Sequence, residues 1–330
     1  VIDTGILHGT VTAIINKKKF EITTLRKDLA TDGRHASVEF TLDWGKDASR
    51  RDFTINAIYA DIEGRIFDPL NGIQDLKNGK IKFIGSAEER IQEDYLRILR
   101  YFRFIIQYSN TDNDQDTIRY IKKHINGINK ISSERIFDEL KKILALKNIY
   151  NLFIKTELKE IVLNLFPQFK HYERLKILNN LNKKLRNRYD NNLILGLLII
   201  DRSSDCEYFC HKYKLSNKLK NRFMNISSNL ENLKNKNFYT QENLKKLIYL
   251  SNKFFVTDLL LFSVCVYKKD KILDIARLID FTNTCKVPKF KISGDDLKKY
   301  GYRTGPKLGE KLKLIEKEWI ENNFVLDNNI

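Results

Sequence analysis

Glu93-Asp94-Tyr95-Leu96-Arg97-Ile98-Leu99-Arg100 is the stretch on which the reading of this chain turns. Straight-chain helix formers dominate it, and Gly and Pro are absent from residues 90–106, so the pattern predicts one continuous helix there. Residues three and four apart share a helix face. Asp94, Arg97 and either Arg100 or Tyr101 then fall on one side, and Glu93 can reach Arg97. Leu96, Leu99 and Phe102 fall on another side, suited to a core. A carboxylate beside guanidinium donors can read the edge of a base. An ordinary intrahelical ion pair uses the same residues, and only the rest of the chain separates the two readings.

At 330 residues the chain is long enough for two or more domains, each with a core. Hydrophobic content of 42% with 31% charged residues fits a globular protein. The net charge of +17 favours a polyanion partner, nucleic acid first. A Lys-, Asn- and Ile-rich composition of an AT-rich genome gives the same excess without a partner. No run reaches the ~18 apolar residues of a membrane span, and the longest, residues 259–267, is interrupted by Ser263. No secretory signal pattern opens the chain. Of Cys206, Cys210, Cys265 and Cys285, only the first two are close, and no second pair stands at metal-ligand spacing. Those two, with His211, read as packing residues of a helix, and a reduced, cytoplasmic interior is the expected setting.

Along the chain, residues 9–16 and 20–25 are strand-like and flank a polar turn at residues 16–19, which predicts a hairpin carrying Glu21. Residues 26–49 are polar and charged and read as a long mobile loop. Residues 50–57 read as a short helix entering a strand at 58–62, with a return at 65–67. A helical turn at 73–78 and a short strand at 81–84 follow. From Ala87 onward the pattern is helical, with Ser132 or Ser133 as an N-cap. Lys183, Lys184, Arg186 and Arg188 form a basic run that serves RNA contact or a solvated helix face equally well. Beyond Pro288, Ser293 caps one helix, and Gly305-Pro306 precedes another over residues 310–321.

The ordered series Glu21-Ile-Thr-Thr-Leu-Arg26, Asp32-Gly-Arg-His-Ala36, Arg50-Arg-Asp-Phe-Thr-Ile-Asn-Ala57, Asp68-Pro69…Gly72…Asp75-Leu76 and Glu93-Asp94-Tyr-Leu-Arg97 resembles bacterial class II tRNA nucleotidyltransferases. These are the CCA-adding enzymes and their poly(A) polymerase relatives. Ser133-Glu134-Arg135-Ile136 and residues 293–319 are similar to the same family. The likeness is dense over residues 5–145, thin through 150–285, and returns at the end. It implies an α+β, mostly helical protein: a truncated, palm-like α/β nucleotidyltransferase head at 1–85 and a neck bearing the nucleotide-selecting helix at 86–148. A helical body at 149–287 and a tRNA-binding helical tail at 288–330 complete it.

The implied activity is protein-templated addition of C and A to the tRNA 3′ end, with tRNA, CTP and ATP as partners, Mg2+ as cofactor and no membrane. A poly(A) polymerase, or an enzyme adding only A or only C, shares every motif. A non-catalytic RNA-binding remnant is the reading from a different class. By resemblance, Asp94 and Arg97 bond the incoming base, and Glu93 and Arg100 orient them. Cytosine and adenine each offer an amino donor beside a ring acceptor, which a carboxylate and a guanidinium complement. Uracil and guanine place a carbonyl where the amino group should be, and leaving such groups unpaired costs ~1–3 kcal/mol each. The resemblance also assigns Arg51, Asp52 and Asn56 to the ribose and phosphates. Glu21 corresponds to a third acidic residue of the active site, near the metals. Asp32, Gly33, Arg34 and His35 belong to a flexible loop tied to the change from C to A addition, and His8 is read as structural.

Nucleotidyl transfer uses two metal ions held by clustered carboxylates. In the family these come from a Gly-Gly turn and an Asp-x-Asp strand, and this chain, starting at Val1 with Met224 as its only methionine, carries neither. Asp112, Asp114 and Asp116, the pair Asp61 and Glu63, Asp295 and Asp296, and Asp3-Thr4-Gly5 do not replace them. The expectation is therefore most of a nucleotidyltransferase whose first segment is encoded elsewhere, truncated or unread, with a separate N-terminal fragment as one candidate partner. Alone, the chain is expected to bind nucleotide weakly and catalyse little.

Overall fold

The computed structural model describes residues 9–31, 36–267 and 272–326. Two compact units divide the chain: residues 1–172 with 209–214, and residues 173–208 with 215–330. Asp3-Thr4-Gly5, His8 and the loop residues Asp32, Gly33, Arg34 and His35 lie outside the described residues.

The first unit opens with the expected hairpin. Strands β1 (Thr10–Ile15) and β2 (Lys18–Thr23) pair antiparallel, with Thr12 opposite Glu21. The turn is tighter than expected: Asn16 and Lys17 alone close it, both left-handed at φ 50° and 65°. That conformation matches the twist of the strands it joins. Residues 26–49 are not one loop. They form a second hairpin, β3 (Arg26–Thr31) with β4 (Ala36–Phe40), and helix α1 (Trp44–Ser49). A two-stranded ribbon is held by backbone pairing with little apolar alternation, so Arg26-Lys27-Asp28 hid the strand from a pattern search. Asp43 caps α1, accepting from the amides of Gly45 and Lys46 at 2.8 and 3.2 Å.

The expected helix at residues 50–57 is also absent, apart from a 3-10 turn at Thr54–Asn56. Here the backbone bonds sideways. The Thr54 amide donates to the Lys82 carbonyl at 3.0 Å and the Ile84 amide to the Asp52 carbonyl at 3.1 Å. The expected strand at 81–84 reduces to this bridge, centred on Phe53 and Phe83, both buried with ring centroids 4.5 Å apart. Strands β5 (Tyr59–Ala60) and β6 (Ile66–Phe67) pair as expected. Helix α2 (Gly72–Lys77) follows, its first amides bonded to Asp68 at 2.8 and 2.9 Å. Gly72 is required by close approach: a Cβ there would stand 2.2 Å from the Thr54 carbonyl oxygen.

The single helix expected over residues 90–106 is two. Helix α3 (Ala87–Glu93) ends at Asp94, whose backbone is extended at φ −151° and ψ 103°, and α4 (Leu96–Tyr108) begins after Tyr95. The Asp94 side chain accepts from the Leu96 amide at 3.1 Å, and its carbonyl accepts from the Arg97 amide at 3.0 Å. A short carboxylate that satisfies the first amides of a new helix breaks the old one without Gly or Pro. Helix α4 buries Ile98, Leu99, Tyr101, Phe102, Phe104 and Ile106. Around it lie α5 (Gln115–His124), the 3-10 turn Ile125–Lys130, α6 (Ser133–Leu144), capped by Ser132, and α7 (Thr156–Leu165).

The second unit is helical: α8 (Glu173–Asn179), α9 (Lys183–Arg186), α10 (Asn191–Ile199), α11 (Asp205–Lys212, which runs on into the residues of the first unit), α12 (Asn217–Ser228) and α13 (Gln241–Leu250). It continues with α14 (Lys253–Val266), α15 (Ile272–Thr284), α16 (Gly294–Lys299) and α17 (Pro306–Glu321). Buried side chains of α10 and α14 supply much of its core. Ser293 and Asp296 form a capping box on α16, and α17 starts four residues earlier than expected, with Pro306 at its first position. Cys206 and Cys210 are buried, as packing roles require, and so is Cys265, whereas His211 is exposed and does not share that role. No helix among the described residues is long and apolar enough to cross a membrane.

Candidate nucleotide site

The candidate residues gather along α4 and the segment before Phe53. Arg97, Arg100 and Arg103 stand three apart on α4, and each reaches a carboxylate from a different element. Arg97 Nη1 meets Glu93 at 2.6 Å and the Arg90 carbonyl at 2.9 Å. Arg100 Nε meets Asp52 at 2.6 Å. Arg103 Nε meets Glu139 of α6, whose side chain is buried. Both bonds of Arg97 leave from Nη1, so its Nε and Nη2 bond no described residue.

Asp52 is the junction. One carboxylate oxygen accepts from the Phe53 amide at 3.0 Å and from Asn56 Nδ2 at 2.9 Å, while the other takes Arg100. Asp52, Asn56 and Arg100, separated by up to 48 residues in sequence, are thus one cluster. Burial raises the Asp52 pKa, but the Arg100 charge and hydrogen bond and the Asn56 bond outweigh it and hold the carboxyl below its ordinary value. Glu93 behaves alike: burial raises it, and its bonds to Arg97 and Arg90 bring it below the ordinary value.

Asp94 and Arg97 are not side by side on one helix face. Asp94 sits in the break, and its other oxygen takes Arg135 Nη2 of α6 at 2.7 Å. Glu93 does reach Arg97, as expected. Glu21 is exposed on β2.

The hub that sequence reasoning missed is Asp47, fully buried on α1. One oxygen accepts from Arg50 at 2.6 and 2.8 Å and from the Arg26 amide at 3.3 Å. The other accepts from Arg51 at 2.9 and 3.1 Å and from the Tyr59 hydroxyl at 2.8 Å. Arg51 also donates to the Asn56 carbonyl at 3.2 Å and lies over the Tyr59 ring, 5.1 Å from its centroid. Burial pushes the Asp47 carboxyl up, and the Tyr59, Arg50 and Arg51 bonds win, leaving it below its ordinary value. Burial and the Asp47 bond push the Tyr59 hydroxyl up to about 12, so it stays a donor. The available signal was an acid three and four residues before an arginine pair. Arg90 was missed too: it ties α3 to the Ser49 and Ile84 carbonyls.

Among the described residues no group of three or more His, Cys, Asp or Glu side chains could hold a metal ion. Asp47, Asp52 and Glu93 are each taken up by arginines. These residues do not fit a two-metal cradle.

The comparisons with known proteins place the chain among the nucleotidyltransferases of the poly(A) polymerase class. The Poly A polymerase head domain family matches residues 1–82, and the family described as the probable RNA and SrmB-binding site of polymerase A matches residues 114–173. CCA tRNA nucleotidyltransferase 1, mitochondrial, of Mus musculus is 34% identical over 98% of this chain and 74% of its own length. The CCA-adding enzyme of Lactococcus lactis subsp. cremoris (strain SK11) is 31% identical over 98% of this chain and 79% of its own. The chain belongs to the CCA tRNA nucleotidyltransferase family, and spans about three quarters of the length of these relatives. Its fold is that of the Bacillus stearothermophilus CCA-adding enzyme in complex with CTP, with a TM-score of 0.72 at 24% identity over 97% of this chain and 79% of that one. The Thermotoga maritima CCA-adding enzyme complexed with tRNA gives 0.61 at 19% identity over 95% and 78%.

Proposed function

We propose that this chain is a CCA-adding tRNA nucleotidyltransferase that selects CTP and ATP with Asp94 and Arg97. The observation that carries the reading is the Arg100–Asp52 pair, which joins the Arg51-Asp52-Asn56 segment to the helix that begins beside Asp94. One end of a nucleotide then meets Asp94 and Arg97, and the other meets Arg51. Asp94 accepts from the amino group of cytosine or adenine. A carboxylate has about four lone-pair sites, so the bonds from Leu96 and Arg135 leave it capacity. Arg97 donates from Nε and Nη2 to the ring acceptor, while Glu93 holds Nη1. Asp52 and Asn56 orient Arg100 and the ribose, and Arg51, fixed by Asp47, faces the phosphates.

The roles of Glu21 as an acidic residue near the metals, and of Asp32, Gly33, Arg34 and His35 as the loop used in the change from C to A, belong to this proposal. So does the division into head (1–85), neck (86–148), body (149–287) and tail (288–330), with the body and tail carrying tRNA. Mg2+ is the cofactor the family implies; the described residues do not hold it by themselves, and Glu21 would lie in its vicinity. Three buried free cysteines suit a reducing compartment, the cytoplasm by our reading, although the relatives from Mus musculus and Danio rerio are named mitochondrial.

Equilibrium binding of CTP, ATP, UTP and GTP tests the selection step without requiring turnover. CTP and ATP should bind about tenfold or more tightly than UTP and GTP, the equivalent of one unpaired polar group. Asp94→Ala and Arg97→Ala should erase the difference, and equal binding of all four by the unaltered chain would refute the reading. Incorporation of CMP and then AMP into tRNA lacking its 3′ end tests the activity itself.

A further inference from the structure

We infer that Tyr95 and Gly127 form a packing lock that sets the specificity of the base reader; the inference rests on the assignment of Asp94 and Arg97 above. The helix break leaves Tyr95 as the one residue between α3's cap, Asp94, and the start of α4. No side chain caps α4 at Tyr95; its carbonyl accepts from the Ile98 amide at 3.1 Å, a bond that holds the turn and not the ring. Its ring instead lies on Gly127, in the 3-10 turn Ile125–Lys130. A Cβ on Gly127 would stand 2.1, 2.2 and 2.4 Å from three carbons of that ring. Those distances lie far inside van der Waals contact, so the ring fits only because residue 127 has no side chain. Gly127 shows no left-handed backbone, so the glycine is needed for space and not for conformation. Lys130, on the same turn, lies over the Tyr95 ring, 5.6 Å from its centroid.

The lock matters because of what flanks it. Asp94 precedes Tyr95 directly, and Arg97 follows by two residues. Their side chains are tied at their far ends to Arg135 and Glu93. The backbone between them keeps the local bonds from Asp94 to the Leu96 and Arg97 amides, and the Tyr95 ring seats it against the 3-10 turn. If the ring leaves Gly127, residue 94 and the first turn of α4 keep only those local bonds and lose their seat. The carboxylate and guanidinium then no longer meet an amino group and a ring acceptor on one base edge together. Tyr95 and Gly127 touch no nucleotide in this account and are positioning residues.

The test is the ratio of CTP to UTP affinity in four variants of the full chain. Gly127→Ala and Tyr95→Ala should each lower the ratio about tenfold, the worth of one lost directional bond. Tyr95→Phe keeps the ring and should keep the ratio. In Tyr95→Ala/Gly127→Ala the new methyl group has room, so the double variant should match Tyr95→Ala alone instead of compounding the losses. Partial unfolding scales both affinities equally and leaves their ratio unchanged, so a general stability role would not give this pattern. An unchanged ratio in both Gly127→Ala and Tyr95→Ala, in a chain that otherwise prefers CTP, overturns the lock. Additive losses in the double variant overturn it as well. Absence of any preference in the unaltered chain overturns the base reading and the lock with it.

Discussion

Asp47 has no exposure to solvent, yet two guanidiniums, a phenol and an amide converge on it. Removing one partner of a buried charged cluster is costly because the others stay behind uncompensated. Asp47→Ala should therefore destabilise the first unit by about 3–5 kcal/mol in urea titrations. Asp47→Asn keeps the shape and should cost less, about 1–3 kcal/mol. If both variants matched the native chain, Asp47 would not be the hub. The same carboxylates set the response to acid. Asp47, Asp52 and Glu93 all sit below their ordinary values when folded, so the unfolded chain takes up protons first as pH falls. Their contribution is complete above about pH 5, where unfolded carboxylates are ionised, and is lost as pH drops toward the folded values. Thermal midpoints should be flat from neutral pH to about pH 5 and fall below pH 4. Asp47→Asn should flatten that fall, and a midpoint that rises on acidification contradicts the assignment.

At the scale of elements, α6 holds α4 and the helix break at two points: Glu139 to Arg103 and Arg135 to Asp94. Glu139 is almost fully buried, so Glu139→Ala should cost about 3–5 kcal/mol, while replacing Arg103 and Glu139 together by apolar residues should cost less than the two single changes combined. Simple additivity in that cycle would show the pair to be uncoupled. How much of this was legible in the sequence depended on the range of the forces involved. Local signals were readable: the caps at Ser132 and Ser293, the first hairpin, and Glu93 within reach of Arg97. The helix break was not, because Asp94 has the choice of continuing one helix or capping the next, and its bond to Arg135 lies 41 residues away. The segment Arg50–Ala57 failed for the same reason, since its backbone partners are at residues 82–84. Motif order singled out the candidate residues as a set, and Asp52, Asn56 and Arg100 do come together. Which carboxylate faces which arginine became visible only in three dimensions.

Over the whole molecule, a net charge of +17 is carried by a chain whose central carboxylates are already committed to arginines. Much of the remaining positive charge lies in the second unit, where Lys183, Lys184 and Arg186 share α9. Binding of tRNA to such surfaces releases counterions, so log affinity should fall linearly with log salt, at about 0.7–0.9 per phosphate contacted. A slope near zero would place recognition in base contacts instead of backbone charge. The nucleotide selectivity proposed for Asp94 and Arg97 should respond far less to salt. Running the two titrations on one preparation separates long-range attraction from local reading.

The arginine row on α4 has a consequence in angular terms. Each residue advances a helix by about 100°, so steps of three turn the row back by about 60° each. Arg97, Arg100 and Arg103 therefore fan over about 120° of the circumference, which is how one helix meets acids from three separate parts of the chain. The fan fixes the rotational phase of α4. The helix can tilt slightly with all three pairs kept, but it cannot turn about its axis without breaking them together. One residue inserted before Arg97 would swing the whole fan by about 100°, whereas the same insertion beyond Arg103 would leave it in place.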